Sequence, residues 1–183
     1  MRNLRTIFVA EGKDAAVVEK FEKDFTKHSG IAEHVMQFSI DMSPAFIKGV
    51  TDNFPNAEIV FDKFHIIKII NEALDKVRRS EVSEQSILRK TKYLFLKNRS
   101  NLDQAQRDYL EKIESMPSMN LKTVRAYHIR ENFQEIYKEQ TAEQFEESLK
   151  RWYWWASHSR IEPMVKCSAP RIVSANLPSG LAA

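Results

Sequence analysis

Two aspartates carry the clearest chemistry in this sequence. Asp41 follows the apolar stretch 35–40, and Asp62 follows the apolar stretch 57–61. If both stretches are parallel strands, their carboxyl ends share one sheet edge, where open α/β sheets bind ligands. Two carboxylates on that edge offer oxygen to a hard cation such as Mg²⁺, which usually takes one or two protein carboxylates. A pair of such ions can activate an attacking oxygen and stabilise a leaving one in phosphodiester cleavage. The same positions also suit a plainer role. Asp62 directly precedes a helix and Asp41 stands two residues before the cap at Ser43, so either carboxylate can serve a turn or a helix start. The pattern leaves both roles open. His65, three residues past Asp62, suits a supporting position better than direct ligation of a hard ion.

A second group of residues speaks to phosphates and bases. The chain carries 28 Lys/Arg against 25 Asp/Glu, a net charge of +3, which is too mild to demand a polyanionic partner. Its distribution says more: residues 63–99 hold ten basic against four acidic residues, and 103–147 hold six against ten. The basic block, with Arg78, Arg79, Arg89, Lys90 and Lys92, can supply phosphate contacts or form a solvated helical face. Trp152, Tyr153, Trp154 and Trp155 are consecutive, and at about 100° per residue they point all round a helix, so one core face cannot bury all four. Two of them belong in a core on the plainer reading. On the functional one, Trp152 and Trp154 stack on unstacked bases, with Lys150, Arg151 and Arg160 beside them for phosphates. His158 takes no role.

The elements that must position these residues change period near Lys63. Before it, strand and helix alternate: a strand over 6–10, a helix over 14–28 with Ala15, Val18, Phe21 and Phe25 on one face, then a strand over 35–40. Ser43-Pro44 opens a helix carrying Phe46, Ile47 and Val50, Asn53-Phe54-Pro55-Asn56 breaks it, and 57–61 is a third strand. This βαβαβ order implies parallel strands. From Lys63 the spacing is helical throughout. Phe64, Ile67, Ile70, Leu74 and Val77 make one stripe, and a second helix covers 83–96. Asn101 to Gln104 has capping-box spacing and opens a helix bearing Leu102, Ala105, Tyr109 and Ile113. Pro117 separates it from a helix with Leu121, Val124, Ile129, Phe133 and Ile136. A second box at Thr141 to Gln144 leads into Phe145, Leu149, Trp152 and Trp155.

Residues 167–183 contain one charged side chain, Arg171, and prolines at 170 and 178, a composition expected to be disordered. The single cysteine, Cys167, excludes an internal disulfide and fits a reducing cytoplasm. No apolar run approaches the roughly 18 residues of a membrane span, so no membrane partner is expected. With four glycines in all, and no Gly-rich loop after any strand, a doubly wound phosphotransfer protein is disfavoured.

Several ordered blocks resemble one family. Ser39-Ile40-Asp41-Met42-Ser43-Pro44-Ala45-Phe46, Phe54-Pro55-Asn56-Ala57 and Phe61-Asp62-Lys63-Phe64-His65-Ile66-Ile67-Lys68 are similar to blocks of the DDE-type transposases of the ISL-three insertion-sequence group. So are the later blocks at 92–98 and 151–164, and the likeness runs from about residue 6 to 166. The resemblance implies an RNase-H-like catalytic core interrupted by a helical insertion. It further implies an Asp, Asp, Glu site for two divalent metals, Mg²⁺ or Mn²⁺, and transposon-end DNA as partner, with homo-oligomerisation left open. Asp41 matches the family's second aspartate; Asp62 and His65 match its Asp-Lys/Arg-Phe-His block. The first family aspartate lies on a strand upstream of 7–10, and the glutamate lies beyond the block ending at Met164, where the sequence diverges after Lys166. Neither Glu11 nor Glu162 stands in for the missing residues.

The fold expected is therefore α/β: a partial RNase-H-like βαβαβ core over 1–62, an all-helical insertion over 63–166 and a tail over 167–183. The function expected is DNA transposition, in a truncated and inactive cytoplasmic fragment holding one carboxylate of three. The alternative is a helical nucleic-acid-binding or protein-interaction module without catalysis.

Overall fold

Side chains of strand β1 (Gln37–Ile40) alternate as a period of two requires, with Gln37 and Ser39 exposed and Phe38 and Ile40 packed inward. Strand β2 (Glu58–Phe61) pairs with it in parallel, Gln37 opposite Glu58 and Ile40 opposite Phe61. Helix α1 (Ala15–Lys27) precedes the sheet, and helix α2 (Pro44–Asn53) connects its strands. The two helices pack closely at Gly49, where a Cβ would stand 2.8 Å from Val18 and 3.1 Å from the carbonyl oxygen of Ala15. Any larger residue forces them apart. The core beneath is aromatic: the Phe54 ring lies 4.6 Å from Phe38, 5.8 Å from Phe21 and 6.5 Å from Phe25. Full burial of one such ring contributes about 1.5–3 kcal/mol.

The computed structural model describes residues 6–116 and 121–168. They fall into two units that divide between His65 and Ile66, three residues later than the change of period suggests. In the first unit the expected strand over 6–10 is not formed, so βαβαβ reduces to two paired strands among the described residues. Phe8 turns inward, 5.6 Å from Phe21, while Ile7 and Val9 are 73% and 85% exposed. The alternation of a strand survives there, but no neighbour among the described residues takes its backbone N–H and C=O groups in a ladder, and without that ladder there is no strand.

The second unit is helical: α3 (Lys63–Glu81), which begins in the first unit, then α4 (Lys92–Leu96), α5 (Gln104–Glu114), α6 (Lys122–Ile136), α7 (Ala142–Ser157) and α8 (Glu162–Cys167). On α3 the buried stripe is Ile66, Ile70, Ala73, Leu74 and Val77. Phe64, expected to begin it, is 78% exposed. The helix expected over 83–96 is instead a 3-10 turn at Ser86–Leu88 followed by the short α4. Lys90 divides them with φ of 60°, a left-handed conformation that no α-helix can continue through. The capping box also sits two residues later than expected. The Asp103 carboxylate accepts from Gln106 N at 2.8 Å, and the Gln106 side chain accepts from Asp103 N at 3.3 Å. That shift buries Leu110 and leaves Ala105 and Tyr109 outside. At Thr141 the hydroxyl half of the expected box holds, accepting from Gln144 N at 3.2 Å, while the reciprocal Gln144 bond is not formed among the described residues.

Two polar ties organise this unit, and neither has a local signature. Helix α6 starts at an apolar cap residue, Leu121, and its first N–H groups are met by Glu81 from the end of α3. That carboxylate accepts from Lys122 N at 2.8 Å, Thr123 N at 2.7 Å and the Thr123 hydroxyl at 2.7 Å, placing negative charge where the helix dipole favours it. Arg130 is buried, and its guanidinium donates to Asn71 of α3, to Leu96 O at the end of α4 and to Lys97 O and Asn98 of the turn after it. Glu131 pairs with it.

Cys167 closes α8 and Ser168 caps it in a buried position, so order extends past the expected start of the tail at 167. Residues 169–183 and Pro117 lie outside the described residues. Among the described residues no helix is long and apolar enough to cross a membrane.

Candidate functional site

The β1–β2 ladder fixes where the two aspartates stand. Both lie one residue beyond the Ile40–Phe61 pair, and Asp62 N donates to Ile40 O at 2.8 Å. They are therefore equivalent positions on the carboxyl edge of neighbouring parallel strands, as their spacing in the sequence required. Each also closes a turn. Asp41 Oδ1 accepts from Ser43 N, and Asp62 Oδ1 accepts from Phe64 N, both at 2.9 Å. Asp62 thus caps α3 directly. Ser43, the expected hydroxyl cap of α2, makes no side-chain cap bond, and Asp41 sets that turn instead. Capping and edge placement prove compatible: one oxygen of each carboxylate is engaged, and the other has no hydrogen-bonding partner among the described residues.

A two-ion centre needs more than this edge supplies. Two carboxylates with one engaged oxygen each fall short of what a pair of hard cations needs for phosphodiester cleavage. Among the described residues no three His, Cys, Asp or Glu side chains converge to hold a metal ion. His65 is half-buried, its N–H donating to Asp62 O at 3.0 Å. The described residues do not complete such a centre.

The basic and aromatic candidates separate into inward and outward groups. Arg78 is buried, its guanidinium bonded to Asp75 at 2.7 and 2.9 Å, and Arg79 is exposed with Asp75 beside it at 3.1 Å. Trp152 is fully buried; its indole N–H donates to Ile129 O at 2.8 Å and its ring lies 4.7 Å from Phe133. Arg78 and Trp152 therefore hold the helical core together and offer no surface to a nucleic acid. Trp154 is 64% exposed and stacks on His158 at 4.9 Å with 19° between the rings. Arg151, on the same helix, pairs with Glu147 at 3.3 Å, and Arg160 is exposed just past its end at φ of 60°.

Arg89, Lys90 and Lys92 come together on the turn before and into α4, exposed and with no acidic partner among the described residues. Tyr93 stands beside them, with the Lys92 ammonium 5.7 Å from its ring centroid. Its exposure was not expected, though the signal was available: residues 85–102 contain five Lys/Arg and no Asp/Glu. Elsewhere, an open groove of about 360 Å³ between α3 and α8 includes Cys167 in its wall. Burial pushes that thiol up to about 12, which keeps it protonated and inert at neutral pH.

Comparison with known proteins agrees with this arrangement at the level of family. Residues 2–170 match the family of DDE transposases of the ISL-three group, described as a transposase. The transposase for insertion sequence element IS1001 of Bordetella parapertussis is 26% identical over 140 residues, which is 72% of this chain and 34% of that protein. The chain thus spans about a third of the length of that relative. No solved structure matches it. The chain belongs to the ISL-three group of DDE transposases.

Proposed function

We propose that this chain takes part in DNA transposition by holding DNA through its helical unit, and that its own residues do not complete the strand-cleaving centre. The observation that carries the reading is the turn bearing Arg89, Lys90 and Lys92. Three exposed cations without acidic partners among the described residues suit the phosphates of one strand, and Arg151, Trp154 and Arg160 offer a second contact region. In this reading β1, α2 and β2 correspond to part of an RNase-H-like core. Asp41 is the residue that would contribute to the family's divalent-metal site, with His65 behind the Asp62 turn. Such a metal, Mg²⁺ or Mn²⁺, would stabilise charge on the reacting phosphate, and this chain would contribute an edge carboxylate to it. The reading puts the protein with the DNA, in the cytoplasm.

The test is a salt titration with duplex DNA carrying transposon-end sequence. If each of the three cations meets a phosphate, replacing Arg89, Lys90 and Lys92 together with alanine makes the log–log salt slope shallower by about 2.7, at roughly 0.9 per phosphate. With Mg²⁺ present the chain is expected to bind that DNA without nicking it, and Asp41→Ala is expected to bind equally well. An unchanged slope would remove the DNA-contact role. Nicking abolished by Asp41→Ala would show a centre more complete than two edge carboxylates.

A further inference from the structure

We propose that Tyr93 stacks on an unpaired nucleobase while Arg89, Lys90 and Lys92 hold the phosphates of the same strand. The inference rests on the DNA-binding reading above and adds the state of the strand. Tyr93 is 66% exposed although it lies between Thr91 and Leu94–Phe95, all buried. Its neighbours hold it there: Phe95 packs 5.6 Å from Tyr127, the Thr91 hydroxyl donates to Leu88 O at 2.6 Å, and Tyr109 donates to Ile87 O at 3.0 Å. An aromatic side chain presented on a fixed backbone loses little freedom when it stacks. Lys92 lies over the ring, within the range of a cation–π contact.

Charge selects this ring over Trp154, the other ring of the helical unit exposed to a similar degree. Around Tyr93, residues 85–102 carry five cations and no carboxylate of their own; Arg99 is paired with Glu114, while Arg89, Lys90 and Lys92 have no acidic partner among the described residues. Around Trp154, Lys150 and Arg151 are already paired with Glu146 and Glu147, and the indole is stacked on His158. A polyanion is therefore favoured at Tyr93. The ring then requires a base with a free π face, which a duplex covers with its own neighbours and a single strand exposes.

The experiment compares a labelled single-stranded oligonucleotide with the same strand in a blunt duplex, using fluorescence anisotropy and the full chain. Tyr93→Ala is expected to weaken single-strand binding about tenfold and duplex binding by less than about twofold, because one base–aromatic stack is lost. Its salt slope should match the parent's, and Tyr93→Phe should bind like the parent. Tyr93 is exposed, and circular dichroism checks that both variants fold. Equal weakening of both DNA forms, no weakening of either, or a Phe variant as weak as Ala would overturn the proposal. Strong binding that depends on the three cations but not on Tyr93 would overturn this inference and leave the DNA reading standing. Failure of the parent to bind either form would overturn both and point to an acidic protein surface as the occupant.

Discussion

Every helix from α3 to α8 puts at least one apolar side chain fully inside the helical unit, from Ile66 to Met164. Among the described residues of the α/β unit only Val50 and Phe54 are buried to that degree, Val18 is nearly so, and Ile7, Val9, Met36 and Phe64 are exposed. The contrast shows two ways of holding functional groups. The helical unit fixes its exposed cations and rings on a backbone tied by its own core and by buried polar hubs. In the α/β unit, the edge carrying Asp41 and Asp62 rests on one cluster of phenylalanines and a four-residue ladder on each strand. The turn bearing Arg89, Lys90 and Lys92 should therefore be the sturdier of the two candidate sites.

The largest expected effect tests the sturdier half. Arg130→Ala leaves Asn71, Leu96 O, Lys97 O and Glu131 without the charge that joins them. Removing one member of a buried ionic network costs about 3–5 kcal/mol. All three tryptophans, Trp152, Trp154 and Trp155, lie in the helical unit, so urea unfolding followed by Trp emission reads this loss directly. A loss below about 1 kcal/mol would reduce the hub to a surface-like contact. Phe54→Ala tests the weaker half. The expected cost is about 3 kcal/mol, the low end for this change, because Phe21, Phe25 and Phe38 are only partly buried and can close on the cavity. Amide exchange should quicken through α1, β1, α2 and β2 while α6 and α7 keep their protection. If α6 and α7 quicken equally, the contrast between the units fails.

Legibility followed the same divide. Local signals were readable in both units: the helix at Ala15–Lys27, the Pro44 start of α2 and the Thr141 cap lie where the residue types put them. Asp41 and Asp62 share a sheet edge because each ends an apolar strand. The strand at 6–10 misled because a short apolar run reports hydrophobicity and not whether a neighbouring ladder exists. The long helix over 83–96 failed at Lys90, whose left-handed backbone has no signature in a residue that is usually a helix former. Arg78 and Trp152 were legible as basic and aromatic, but their burial depends on Asp75 and Ile129 meeting them, which no pattern of spacing encodes. The Arg130 hub was invisible for the same reason: its acceptors lie as far as 59 residues away in the chain.

The smallest expected effect concerns one hydroxyl in the sturdier unit. Tyr127 is buried against Phe95, and its hydroxyl has no hydrogen-bond partner among the described residues. An unmet buried polar group costs about 1–3 kcal/mol, so Tyr127→Phe should raise stability by about 1 kcal/mol at neutral pH. Burial, reinforced by the nearby Glu131 charge, pushes the phenol from its ordinary value of 10 up to about 12. Below pH 10 both states keep the proton and the hydroxyl adds no pH dependence. Between 10 and 12 the unfolded chain ionises first, so the parent loses stability as pH rises. Cys167, raised from 9 to about 12, starts a similar decline near pH 9, but it is present in both proteins and cancels in the difference. The stability gap between Tyr127→Phe and the parent should thus widen from pH 10 to 12. Parallel curves over that window would mean that the hydroxyl ionises as easily folded as unfolded, and that the core around Tyr127 admits solvent.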